Sequence, residues 1–104
     1  MPKFMFAYHG GKRPESEEEI KSTMAAWEQW MTDNQKALLD PGNPVGMSRT
    51  VTDKEIRDDG GANPLSGYTI VDAADIDAAC AIAKSNPMVM DGSGSVEIAE
   101  IIQM

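Results

Sequence analysis

The sequence predicts one α+β domain of ferredoxin-like βαββαβ order, in which a four-stranded antiparallel sheet carries both helices on one face. A length of 104 residues fits a single domain spanning residues 1–104. The hydrophobic fraction of 41% and the charged fraction of 25% are ordinary for a globular chain. Strand-like and helix-like patterns alternate in that order along the sequence, which is the split βαβ arrangement.

The first half of the chain predicts one strand and one long helix. Lys3–His9 is apolar at nearly every position, so both faces of the strand are apolar, as in a central strand covered on both sides. Gly10-Gly11 ends this strand. Ser16 and Glu19 are spaced as a capping box, in which each side chain satisfies a free amide of the other. Apolar residues at helical spacing after this cap predict a helix over residues 17–38.

The second half predicts three strands and one helix. Val45–Thr52 is a weakly patterned edge strand, and the acidic, glycine-containing stretch Asp53–Asn63 is a loop or hairpin tip. Leu65–Val71 and Ser95–Ile102 are rich in β-branched residues and form the third and fourth strands. Ile76–Ser85 is a short helix whose alanines allow close approach to the sheet. In this topology the first and third strands are central.

The supply of apolar strand surface predicts self-association. The first, third and fourth strands carry apolar residues on both faces, whereas two helices cover only one face. A large uncovered apolar face marks an interface or a ligand groove, and a two-fold dimer is the commonest solution. A base-stacking sheet would need arginine or lysine beside its aromatics, and Tyr68–Val71 has none. We therefore expect a homodimer formed through the sheet face.

Charge and composition exclude several classes of partner. The formal net charge of −8 disfavours nucleic acid and anionic membrane surfaces, which attract clustered lysine and arginine. The apolar run at the N-terminus is too short for a signal peptide or a bilayer span. Cys80 is the only cysteine and forms no internal disulfide, which suits the cytoplasm. With one histidine and one cysteine, we expect no metal site and no cofactor.

Several stretches together resemble the YCII-related family, and most of all its DGPF-domain branch. The stretches that carry the resemblance are Lys3–Tyr8, Met24–Trp30, Gly67–Asp77, Pro87 and Ser93–Ile98. They are spread over nearly the whole chain. The resemblance implies a dimeric α+β barrel, in which two ferredoxin-like subunits place their sheets face to face. It implies little about chemistry, because the family's activity is largely uncharacterised.

Two family features are altered in this chain. Some relatives are thought to use a histidine–aspartate pair with the histidine in the first helix, where this sequence has Thr23. The Asp-Gly-Pro-Phe signature corresponds to Asp59–Ala62, which reads Asp-Gly-Gly-Ala. The resemblance therefore implies an architecture without carrying over a complete catalytic pair.

The candidate site residues begin with His9, the only histidine in the chain. Its ordinary pKa lies near neutrality, so it is a candidate general base at the end of a central strand, oriented by Asp59 or Asp91. The alternative is a strand-end histidine that only bonds a loop. Lys12 and Arg13 follow two glycines and predict either an anion-binding turn or a solvated one.

Two functions from different classes fit these residues. The first is binding of a small molecule in a cleft between the sheet and the first helix, lined by His9, Trp30 and Tyr68, with cofactor-free enzymatic turnover left open. Trp27 is expected in the core, whereas Trp30 and Tyr68 have core packing as their alternative role. The second function is a non-enzymatic dimeric interaction or regulatory module that presents an acidic surface, motivated by the net charge of −8.

Overall fold

The computed structural model describes all 104 residues and places four strands in one antiparallel sheet of order β2-β5-β1-β6. In chain order the elements are β1 (Lys3–Gly10), α1 (Glu17–Asp33), β2 (Leu38–Asp40), β3 (Thr50–Val51), β4 (Ile56–Arg57), β5 (Leu65–Asp72), α2 (Ile76–Lys84), α3 (Pro87–Met90) and β6 (Gly94–Glu100). The predicted first and third strands, β1 and β5, are central, which confirms the α+β fold class. None of the helices is both long and apolar enough to cross a membrane.

The predicted first helix was too long at its C-terminal end. It ends at Asp33, where the Asn34 side-chain amide donates to the Trp30 carbonyl oxygen at 2.8 Å and the Asn34 main-chain amide donates there at 3.1 Å. Residues 34–37 form turns. The Asp72 amide then donates to the Ala37 carbonyl oxygen at 2.8 Å, and this bond starts the pairing of β2 with β5. The final predicted turn of helix is therefore the entry to a strand.

The predicted second strand was wrong in position. The edge of the sheet is β2, Leu38–Asp40, followed by an isolated bridge between Pro44 and Gly67. Of the predicted strand over residues 45–52, only Thr50–Val51 is extended, and it pairs with β4 in a separate hairpin. The hairpin confirms one of the two alternatives for the acidic stretch. A three-residue edge strand offers too few positions for an alternating pattern to show.

The two main helices meet the sheet through side chains of very different size. The helix α2 presents Ala79 and Ala83, both buried, and lies close against β1 and β6. The helix α1 presents Trp27 and Trp30 to the same core. The Trp30 indole N–H donates to the Ile82 carbonyl oxygen at 3.1 Å and so ties α1 to α2.

The buried core lies between the sheet and the helices, with Phe4, Phe6 and Val71 nearly inaccessible to solvent. On α2, Cys80 is exposed and does not share the buried face of Ala79 and Ala83. Its position, one residue after Ala79, turns the thiol away from the sheet.

The second face of the sheet carries no helix. Alternation along β1 places Met5, Ala7 and His9 on this face, opposite Phe4, Phe6 and Tyr8. Met5 lies between Ile70 of β5 and Ala99 of β6. Met5 is 41% exposed, and the molecule measures only 19 Å along its shortest axis. The chain is thus two layers thick, with an apolar sheet face open on one side.

Gly42 provides a test of how the loop after β2 lies against β5. Its φ is +78°, and a Cβ atom there would overlap the Tyr68 carbonyl oxygen. We predict that Gly42→Ala lowers the free energy of unfolding by about 2–4 kcal/mol, since strain and a main-chain clash add. Chemical denaturation measures the change.

Two alanine variants separate the contributions in that test. Gly61 has a φ of +83° but open space around it, so Gly61→Ala should cost only about 1 kcal/mol, from strain alone. Gly46 has neither feature, and Gly46→Ala should change stability by less than about 0.5 kcal/mol. Equal losses in Gly42→Ala and Gly61→Ala would show that the loop does not rest on β5.

Candidate functional site

A cavity of about 750 Å³ lies on the helix side of the sheet, between α1 and the ends of β1 and β5. Two loops complete its wall, namely residues 10–13 after β1 and Pro41–Pro44 after β2. The side chains and main-chain segments that border it come from Tyr8, Gly10, Gly11, Lys12, Arg13, Thr23, Met24, Trp27, Glu28, Met31, Pro41, Gly42, Asn43, Pro44, Ser66, Gly67, Tyr68, Thr69 and Met88. Cavities of roughly 300–1,000 Å³ are typical of small-molecule sites.

A chain of hydrogen bonds runs along the inner wall of this cavity. The Tyr8 hydroxyl donates to Thr69 Oγ1 at 2.7 Å, and the Thr69 hydroxyl donates to the Pro41 carbonyl oxygen at 2.9 Å. The Asn86 side-chain amide lies 3.5 Å from the Tyr8 oxygen as a further donor. Burial raises the pKa of Tyr8 from 10.0 to about 12, because desolvation outweighs the opposing hydrogen bonds from Thr69 and Asn86. The phenol is therefore neutral at physiological pH.

Trp27 forms the aromatic wall of the cavity. Its ring meets the Tyr8 ring edge-to-face, with centroids 5.5 Å apart and planes at 84°. It also meets Trp30 at 5.8 Å and 80°. Trp30 is 3% exposed and does not border the cavity, so it takes the core position that was one of its two expected roles. Trp27 packs against the core as expected and also borders the cavity. Edge-to-face contacts of this kind hold the indole in one orientation.

Glycines allow the two strands and the loop to meet tightly at the cavity wall. Gly67 lies opposite Tyr8 in the register, and an added Cβ atom would approach the Asn43 carbonyl oxygen to 3.1 Å. Ser66, the residue before Gly67, is skipped where the pairing shifts between Tyr8 and His9. Its hydroxyl is buried without a hydrogen-bond partner. The wall is thus a bulged strand end covered by a close-packed loop.

The cavity mouth carries charged side chains. Lys12 and Arg13 both border it, and so does the exposed carboxylate of Glu28. Lys12 Nζ lies 3.9 Å from a Glu19 carboxylate oxygen, whereas Arg13 has no carboxylate oxygen within 4.0 Å. The Gly11 amide donates to the Ser93 carbonyl oxygen at 2.9 Å and is not free for a ligand. The predicted cationic turn therefore lies at the cavity, and its Gly11 amide is already occupied.

His9 lies on the opposite side of the sheet from this cavity. Its Nδ1 atom is 3.2 Å from the Pro64 carbonyl oxygen, and its Nε2 atom is 3.0 Å from a Glu97 carboxylate oxygen. Only 9% of the His9 side chain is exposed, against 72% for Glu97. A carbonyl and an ionised carboxylate only accept, so both contacts are hydrogen bonds only when both ring nitrogens carry a proton.

The remaining predicted site residues lie in different parts of the fold. Asp59 lies after the β3–β4 hairpin, where its carboxylate accepts from the Gly61 amide at 3.1 Å and its main-chain carbonyl accepts from Thr50. Tyr68 borders the cavity, but strand alternation turns its side chain to the open face with Ala7. The structure thus joins Lys12 and Arg13 to the cavity and leaves His9, Asp59 and Trp30 outside it.

Sequence reasoning missed Tyr8, Thr69 and Trp27 as cavity residues. Tyr8 could have been recognised from the sequence. It shares a strand face with Phe4 and Phe6, and it lies close to the Gly10-Gly11 turn that leads from the strand toward the first helix. No comparable signal marks Thr69, because its role depends on the Pro41 carbonyl brought near by the loop.

A family model for the YCII-related domain matches residues 4–104 of this chain. The protein belongs to the YCII-related family. The match covers all helices and all of the sheet except Lys3, in agreement with the resemblance found in the sequence. A comparison with curated proteins found no match.

Among solved structures, the fold is similar to that of 5-chloro-2-hydroxyhydroquinone dehydrochlorinase (TftG) from Burkholderia phenoliruptrix AC1100, solved in complex with 2,5-dihydroxybenzoquinone. The TM-score is 0.60 at 16% sequence identity, over 98% of this chain and 95% of that chain. At this identity the likeness establishes a shared fold. It supports the ferredoxin-like assignment from an independent direction.

Tyr8 should ionise late in an alkaline titration. Of the two tyrosines in the chain, one should form phenolate with a pKa of about 12, as followed by near-ultraviolet absorbance. The folded state then binds more protons than the unfolded chain between pH 10 and 12. The contribution of Tyr8 to the free energy of unfolding should therefore not change with pH below pH 10, and it should fall as the pH rises toward 12.

The control for the titration is Tyr8→Phe, which should remove the phase with a pKa of about 12. A wild-type titration that lacks this late phase would contradict the burial of Tyr8.

Proposed function

We propose that this YCII-related protein binds a small organic molecule in the cavity between the sheet and α1. The observation that carries the proposal is a cavity of about 750 Å³ that has an aromatic wall, Trp27, and a neutral phenol, Tyr8, held in place by hydrogen bonds. Apolar walls with a few oriented polar groups are the usual composition of ligand sites. The similar fold of a protein solved with a small quinone agrees with this proposal.

The proposal concerns binding, and cofactor-free turnover is a prediction beyond it. The catalytic roles predicted for His9 and Asp59 stay predictions, and binding does not depend on them, because neither residue borders the cavity. The ligand-binding roles predicted for Lys12 and Arg13 belong to the proposal, since both lie at the mouth. Membership of the DGPF branch and a cytoplasmic location also stay predictions.

The acidic-surface alternative has less support from the contacts. In the first turn of α1, the Ser16 hydroxyl accepts from the Glu19 amide at 3.1 Å, and the Glu19 carboxylate accepts from the Glu15 amide at 2.8 Å. Acidic side chains at a helix N-terminus also stabilise the helix dipole. Part of the negative charge thus has a structural role and needs no basic partner.

We further propose that the protein is a homodimer joined through the open face of the sheet. Met5, Ile70 and Ala99 form one cross-strand row on that face, and Met5 and Ile101 are 41% and 37% exposed. Covering such a row removes apolar surface from water, which contributes roughly 25 cal/mol for each Å² buried. A second copy of the same face is self-complementary under two-fold symmetry.

Ligand binding is tested with a variant that fills the cavity. The neutral probe 3-phenylpropanol should bind the wild-type protein saturably, with a Kd of about 1 mM or tighter in calorimetry. Thr23→Trp places a large ring in the cavity and should abolish binding, since Thr23 is one of its lining residues. Ala25→Trp is the matched control, because Ala25 is exposed on α1 and does not border the cavity. Undiminished binding to Thr23→Trp would place the ligand elsewhere.

Dimerisation is tested by charge on the open face. Wild-type protein should sediment at about twice the chain mass of 11.3 kDa at micromolar concentration. Met5→Glu would bury two carboxylates in the interface and should raise the dimer dissociation constant by at least about 100-fold. Ile20→Glu, on α1 at the other side of the sheet, should have little effect. A wild-type species of 11.3 kDa alone would refute the homodimer.

A further inference from the structure

The inner wall of the cavity has few polar groups left for a ligand. The Tyr8 and Thr69 hydroxyl protons are both donated within the protein, to Thr69 and to the Pro41 carbonyl oxygen. The Tyr68 amide donates to the Asn43 carbonyl oxygen at 3.3 Å, and the Val45 amide donates to Ser66 at 3.1 Å, so loop groups are also occupied. Apart from the buried Ser66 hydroxyl, which has no hydrogen-bond partner, the interior offers contact with Trp27 and methionine side chains. An apolar, ring-containing body matches such a surface.

The mouth of the cavity is polar, because it carries the charged side chain of Arg13, which has no carboxylate partner. Arg13 has no carboxylate oxygen within 4.0 Å, whereas the other two arginines of the chain, Arg49 and Arg57, each have one. A guanidinium presents two parallel N–H groups that fit both oxygens of a carboxylate. An arginine without a carboxylate partner at the edge of an apolar cavity is well placed to receive an anionic group.

The local contacts favour a carboxylate over a phosphate. A phosphate site after a glycine turn normally uses free main-chain amides. The Gly11 amide is occupied by the Ser93 carbonyl oxygen at 2.9 Å, and Lys12 is shared with Glu19 at 3.9 Å. One free guanidinium remains, which matches a single negative charge. Glu28 at the same mouth would repel a doubly charged group more strongly than a monoanion.

We infer that the ligand is an aromatic monocarboxylate, with its ring against Trp27 and its carboxylate on Arg13. This inference rests on the proposed function, since it names the class of molecule that the same cavity takes. Arg13 then decides specificity between a charged acid and a neutral molecule of the same shape. Glu28 weakens binding of the acid through like-charge repulsion.

The test compares 3-phenylpropionate with its neutral amide, 3-phenylpropionamide, by calorimetry at low ionic strength. The wild-type protein should bind the acid about tenfold more tightly than the amide. Arg13→Gln should bring the two dissociation constants to within about twofold of each other, by weakening binding of the acid alone. Glu28→Gln should strengthen binding of the acid by about twofold and leave the amide unchanged.

The matched control is Arg49→Gln, which removes the same charge. Arg49 Nε lies 2.9 Å from Asp58 in the hairpin region and does not border the cavity, so this variant should keep the tenfold preference. Equal binding of acid and amide to wild type, or an unchanged preference in Arg13→Gln, would overturn the inference while leaving the binding proposal intact. If neither probe binds and 3-phenylpropanol also fails, the proposed function itself is refuted.

Discussion

The size of the side chains between each helix and the sheet determines how far each helix lies from the sheet, and with it the position of the cavity. The helix α2 rests on Ala79 and Ala83 and can lie close to β1 and β6. The helix α1 rests on two indole rings, Trp27 and Trp30, which are stacked edge-to-face. Because indole rings are much larger than alanine methyl groups, α1 is held farther from the sheet than α2. The cavity occupies the space beneath α1 that the indoles leave beside them.

This arrangement links the stability of the fold to the shape of the site. Trp30 is fixed by its hydrogen bond to the Ile82 carbonyl oxygen, and Trp27 is fixed between Trp30 and Tyr8. Unfilled space near a core costs free energy, so it persists only where rigid neighbours prevent collapse. The hydrogen bonds from Tyr8 to Thr69 and from Thr69 to Pro41 supply that rigidity on the sheet side. A ligand that fills the cavity would recover contacts that the free protein lacks.

Much of the fold could be predicted from strand alternation and from the alanines of α2, because both patterns report burial directly. The short edge strand Leu38–Asp40 could not, since three residues cannot show alternation. The position of Trp27, rather than Trp30, at the cavity could not be predicted for a similar reason. Residues three apart on a helix lie only about 60° apart around its axis, so both fall on one apolar stripe and only the packing against α2 separates them.

The candidate site was harder to predict, although one constraint was available from the sequence. Adjacent residues of a strand point to opposite faces, so His9 and the helix-facing Tyr8 could not line one cavity on the helix side. The same rule separates the side chain of Tyr68 from Thr69. What the sequence does not contain is the path of Pro41–Pro44, which brings a carbonyl oxygen to Thr69 and closes the wall. Loop paths depend on contacts between residues distant in the chain.

A crystal structure of the ligand-free protein would test most directly whether α1 packs on the sheet through the indole rings of Trp27 and Trp30. We predict that Trp27 lies edge-on to Tyr8, with ring centroids near 5.5 Å, and that an open cavity of about 750 Å³ separates α1 from the Pro41–Pro44 loop. A structure in which Trp27 turns away and α1 settles directly on that loop, with no cavity between them, would contradict this prediction.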